Sequence, residues 1–135
     1  MRRHWKTIAL ITFLVIAAIA IAGYSRNEIQ TRYDIDNAIR ATGGDPAQGR
    51  RKIPQYGCQT CHTIPGIPGA TAKVGPPLNS FVYRVYIAGE LPNTPNNLKQ
   101  WLQHPHSVEP KTAMPEMGVT EEDSRHIAAY LYTLR

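Results

Sequence analysis

Three regimes of hydrophobic patterning divide the 135 residues. From Ile8 to Gly23 every residue is apolar except Thr12, leaving no polar face to meet water as an amphipathic helix would. Trp5 and Tyr24 bracket the run, as interfacial aromatics do at the two faces of a bilayer. A helix over residues 5–24 would rise about 29 Å, close to the hydrocarbon thickness of about 30 Å. The pattern predicts a single N-terminal transmembrane helix within residues 1–24. From Ser25 to Gly44 the chain is polar with scattered Ile29, Tyr33, Ile35 and Ile39, and it closes on Thr42-Gly43-Gly44. Residues 25–44 read as a spacer, helical in part, ended by a flexible glycine pair.

Residues 45–135 read as a separate all-α domain. Asp45-Pro46 offers an N-cap followed by an N1 proline, opening a helix that reaches about Tyr56. Asn96-Asn97 opens a second helix, which carries Leu98, Trp101 and Leu102 and stops at Pro105. Thr120 with Asp123 approximates a capping box, and Glu121, Glu122 and Asp123 sit where the helix dipole favours negative charge. Ile127, Tyr130, Leu131 and Leu134 then follow at helical spacing as one apolar face, expected to cross the Asp45–Tyr56 helix. The prolines and glycines gather mainly between Pro54 and Gly118, so this middle stretch is predicted to be mostly loop. A shell so rich in loops needs a large apolar body at its centre.

Charge refines the picture once it is divided. Removing Arg2, Arg3 and Lys6 from the 15 basic residues leaves 12 against 10 acidic, a balance of +2 in place of the formal +5. The three basic residues predict a cytoplasmic N-terminus. Residues after Tyr24 are then expected outside a bacterial inner (cytoplasmic) membrane, on its periplasmic or extracytoplasmic side. A cleaved signal peptide competes, since Ala20-Ile21-Ala22 offers a processing site; the uncleaved anchor is preferred, and both deliver the domain to one compartment. The near-neutral balance argues against a nucleic-acid partner. Arg50, Arg51 and Lys52 form the one basic run after the anchor, read as a solvated helix face.

The chemistry lies in Cys58-Gln59-Thr60-Cys61-His62. C-x-x-C-H is an attachment site for c-type haem: two thiols three positions apart form thioethers with one porphyrin, and the next residue places an imidazole under the iron. A thioredoxin-like pair would need a βαβ setting that the pattern lacks. A structural zinc would need two more ligands, and His104 and His106 straddle Pro105 at an unsuitable spacing. A disulfide would close too short a loop to stabilise much. For the sixth iron position, Met114 and Met117 are the thioethers outside the anchor. Met114 lies between Pro110 and Pro115 and is preferred; Met117 and an open site remain alternatives.

Gly57-Cys58-x-x-Cys61-His62, Val74-Gly75-Pro76-Pro77-Leu78, Asn97-Leu98-x-x-Trp101-Leu102, Ala113-Met114-Pro115 and Ile127-Ala128-Ala129-Tyr130-Leu131 occur in this order. Together they resemble a class I cytochrome c domain, and in particular the domain fused to subunit II of some bacterial haem–copper oxidases and small membrane-anchored cytochromes of that kind. The chain differs from subunit II in having no copper-binding domain, so the small anchored cytochrome is expected. The resemblance implies a small cytochrome c fold around one haem c held by Cys58 and Cys61, with His62 and Met114 as metal ligands. It implies that the Pro76 carbonyl takes a hydrogen bond from His62, that Gly75 allows close approach there, and that Trp101 and Arg84 meet the haem propionates. Tyr83 and Tyr86 are further candidates to line the pocket.

The expected function is a membrane-tethered monohaem carrier of single electrons in a respiratory chain, between a quinol-oxidising complex and a terminal oxidase. It would not be an enzyme and would have no small-molecule substrate. A haem-based catalyst with an open or displaceable sixth ligand is the rival, with His104 or His106 as its acid/base. A fixed relay subunit of a larger complex is a third reading.

Overall fold

The computed structural model describes residues 2–135, with side chains from Trp5 onward. Arg2 and Arg3, on which the expected orientation partly rests, fall outside the described side chains. Helix α1 runs Arg2–Thr42, and it is the helix, among the described residues, long and apolar enough to cross a membrane. The chain divides into two compact units, one ending at Tyr33 and one spanning Asp34–Arg135. In the first, the large apolar side chains from Trp5 to Tyr24 are exposed, as a bilayer-facing helix requires.

The second unit begins inside the stretch read as a spacer. Asp34, Ala38 and Thr42 are buried on one helical face, so the end of α1 is packed. Arg135 pairs with the Asp34 carboxylate and donates to Tyr83 Oη at 2.9 Å. Isolated apolar residues concealed this face, since its members are an acid, an alanine and a threonine. Gly43, with φ +69°, then ends the helix by donating to the Ile39 carbonyl, the left-handed stop that glycine tolerates.

Helix α2 (Pro46–Gln55) starts as expected: Asp45 accepts from Ala47 N–H at 2.8 Å, and Pro46 occupies the first turn. Helix α3 (Pro95–Gln103) is capped by Thr94. Past the expected stop, Pro105 opens a short α4 (Pro105–Val108). Helix α5 (Glu121–Tyr132) is capped by the Thr120 hydroxyl, which accepts from Asp123 N–H at 3.1 Å. The return half of the capping box is not formed. Asp123 instead accepts from Tyr56 Oη at 2.7 Å and pairs with Lys52 at 3.1 Å, so its carboxylate joins α5 to α2.

The two helices cross as the apolar face of α5 predicts, at closer range than side-chain packing allows. A Cβ on Gly49 would stand 2.0 Å from the His126 carbonyl oxygen, and one on Gly44 would stand 2.1 Å from that of Arg125. Ile53, Leu98 and Ile127 are fully buried between α2, α3 and α5. The rest is loop, apart from 3-10 turns at Cys58–Thr60 and Phe81–Tyr83 and a two-stranded antiparallel hairpin, β1 (Tyr86–Ile87) with β2 (Leu91–Pro92), which pairs Ile87 with Leu91. Ala88 and Gly89, both at positive φ, turn it.

Candidate functional site

A cavity of about 660 Å³ lies against the core. Ile53 from α2, Phe81, Leu98 from α3, and Ile127 and Leu131 from α5 belong to its wall and to the buried core alike. Cys58, Cys61, His62, Pro76, Arg84, Trp101 and Met114 all line it. These seven residues, expected at the haem site from sequence, thus lie on one wall.

The C-x-x-C-H segment is shaped by a 3-10 turn over Cys58–Thr60, entered through Gly57 at φ +72°. Cys61 and His62 both donate backbone N–H to the Cys58 carbonyl, at 3.3 and 3.0 Å. Both thiols are free and half-buried. Burial pushes the Cys58 thiol pKa up, partly offset by a backbone hydrogen bond, with Cys61 adding to the rise.

Residues 74–78 form a strap over the imidazole. Gly75 N–H donates to the Cys61 carbonyl at 2.8 Å and Leu78 N–H to the Thr63 carbonyl at 2.7 Å. Between these ties, His62 Nδ1 lies 2.7 Å from the Pro76 carbonyl oxygen. A carbonyl can only accept, so Nδ1 carries the proton and Nε2 keeps its lone pair for a metal. A Cβ on Gly75 would fall 2.4 Å from His62 Cε1. The strap therefore brings bare backbone close against the ring, where a side chain would not fit.

Met114 is half-buried and packs on the core, whereas Met117 is 39% exposed at the cavity edge. Trp101 packs on the same core. Arg84 places its guanidinium 5.3 Å from the centroid of the Phe81 ring and donates to the Pro77 carbonyl, and burial lowers its pKa. Of the two tyrosines, Tyr86 lines the cavity. Tyr83 does not: it is turned outward to Arg135. His104 and His106 also stay off the wall, with their Nδ1 atoms 3.8 and 3.6 Å from Glu116. Glu109 is a lining residue that sequence reasoning missed; its carboxylate accepts from Lys111 N–H at 2.8 Å. Nothing in its local pattern set it apart from other loop acids.

Two thiols, one imidazole nitrogen with a free lone pair, a thioether and an apolar wall suit a porphyrin whose iron takes nitrogen and sulfur ligands. This helical unit is of the class that encloses a covalently attached haem and transfers electrons. The chain belongs to the cytochrome c family, whose model matches residues 46–135. Cytochrome c oxidase subunit 2 of Alkalihalophilus pseudofirmus is 36% identical over 89 residues, covering 65% of this chain and 25% of that protein. Cytochrome c oxidase subunit 2 of Bacillus sp. strain PS3 is 33% identical over 106 residues, covering 75% of this chain and 30% of that protein. The chain thus spans less than a third of the length of these curated relatives. No solved structure is significantly similar to it.

Proposed function

We propose that this protein is a membrane-tethered monohaem cytochrome c that passes single electrons along a respiratory chain towards a terminal oxidase. The observation that carries the reading is the His62 imidazole, held at Nδ1 by the Pro76 carbonyl at 2.7 Å beside two free thiols. Cys58 and Cys61 would hold the haem, and His62 and Met114 would supply nitrogen and sulfur to its iron. Once bound, the haem supplies a one-electron iron couple that needs no bond to a substrate.

The chain's own part is positional. Pro76 fixes the tautomer and plane of His62. The apolar wall excludes water and disfavours the extra charge of the oxidised state. Trp101 and Arg84, both on the cavity wall, would meet the propionates, Arg84 with its remaining donors. The apolar helix within α1 supports the membrane tether, and the oxidase-subunit relatives support the respiratory setting. Among the described residues His62 is the one imidazole on the cavity wall. That favours carriage over a catalytic site with His104 or His106 as acid/base.

Visible spectra of the purified protein, oxidised and then reduced, test the ligation. Sharp low-spin bands with the far-red feature of thioether-bound ferric iron are expected. Met114→Ala should abolish that feature, lower the potential and admit carbon monoxide. A wild-type protein that is high-spin and binds carbon monoxide would move the assignment to the catalytic reading.

A further inference from the structure

The mouth of the cavity has an unusual charge pattern. Among the described residues, every exposed one that lines the cavity is uncharged. Val74 is 79% exposed, Tyr86 57% and Met117 39%, and Pro76, Ala88 and Pro115 stand with them. The charged lining residues are Arg84 and Glu109, both half-buried and bonded to backbone groups of the chain. The exposed charged residues next in sequence to the lining are Lys73, Glu90, Lys111 and Glu116, two of each sign. The basic run of α2 lies off the cavity: none of Arg50, Arg51 and Lys52 lines it, and Lys52 pairs with Asp123.

The geometry points to this neutral rim as the face through which the protein exchanges electrons, and to a redox-protein partner whose own contact face is uncharged and apolar. The inference rests on the electron-carrier reading. Charge complementarity selects the occupant. A partner with a strongly charged face would have to desolvate its charges against valine, tyrosine and proline without gaining an ion pair. An apolar face loses nothing there and gains by removing exposed hydrophobic surface from water. Encounter should then be steered weakly and depend little on salt.

A second copy of this chain carries such a face by construction, so electron self-exchange is the direct assay. One electron leaves a reduced copy and enters an oxidised one, with no bond made or broken. In detergent-solubilised full-length holoprotein, NMR exchange broadening between ferrous and ferric signals gives the rate. Between about 10 mM and about 300 mM salt the wild-type rate should change by less than about threefold. Val74→Lys with Ala88→Lys should slow exchange about tenfold at low salt, with recovery at high salt, because like charges then meet across the contact. Val74→Lys alone should act in the same direction, more weakly, should the double variant not take up haem. Ala47→Lys adds charge at an exposed α2 position off the cavity wall and should leave the rate unchanged.

Backbone amide shifts in the same samples give a second readout: Val74 and Ala88 should move with protein concentration and Ala47 should not. A wild-type rate that changes more than tenfold with salt would overturn the neutral face. Indifference of both rate and amide shifts to the two lysines would move the port elsewhere. Failure of the carrier reading would look different, as iron that does not cycle reversibly between its two states.

Discussion

Gly75 has no Cβ, and this lets the strap lie directly against the His62 ring. Gly75→Ala would put a methyl carbon 2.4 Å from Cε1, forcing the imidazole to turn or the strap to lift. The expected outcome is holoprotein in reduced yield with altered low-spin signals in electron paramagnetic resonance, while the thioether attachment through Cys58 and Cys61 persists. Asp123 makes a second prediction. The Tyr56 hydroxyl chiefly, and Lys52 after it, hold its carboxyl below the ordinary range against an opposing effect of burial. Its contribution is present above the unfolded-state pKa and is lost as pH falls through the lowered folded value. Asp123→Asn should cost about 1 kcal/mol at neutral pH and flatten the acid limb of a stability–pH profile followed by circular dichroism. The C-x-x-C-H segment was legible because it is a local pattern. The Asp123–Tyr56 bond was not, because it joins residues 67 positions apart.

Helix starts were readable from their caps, since Asp45 and Thr120 act through bonds two or three residues away. The crossing of α2 and α5 was readable in outline from the apolar stripe. Its closeness was not, because a glycine within a helix looks like a weak helix former until the neighbour is seen. Gly49→Ala would raise helix propensity, yet the added methyl would meet the His126 carbonyl at 2.0 Å. A net loss of about 1–3 kcal/mol is expected from overpacking, read as a lower midpoint in denaturant unfolding of the holoprotein. The end of α1 was concealed for a different reason. Asp34, Ala38 and Thr42 carry little hydrophobic signal, and their burial depends on partners such as Arg135. A version starting at Asp34 should therefore unfold at a higher temperature than one starting at Asp45. Near 100 residues, each kcal/mol lost lowers Tm by about 4–8 °C.

The second unit joins its structural centre to its functional one. Ile53, Phe81, Leu98, Ile127 and Leu131 are at once the buried core and the cavity wall. The sequence foretold this arrangement only as a need, a loop-rich shell that wanted an apolar body. Which loops form the wall depends on long-range ties such as Tyr130 Oη to the Pro65 carbonyl at 2.6 Å. Because one set of side chains serves both purposes, attachment of the haem and consolidation of the fold should be linked. Cys58→Ala with Cys61→Ala should consequently give a loosely packed chain that is digested rapidly by limited proteolysis, while the mature protein resists. For a cell this coupling supplies inspection without an inspector. On the proposed reading, a cytochrome that never received its cofactor would be marked for clearance by its own softness, and the copies that persist would be those able to carry electrons.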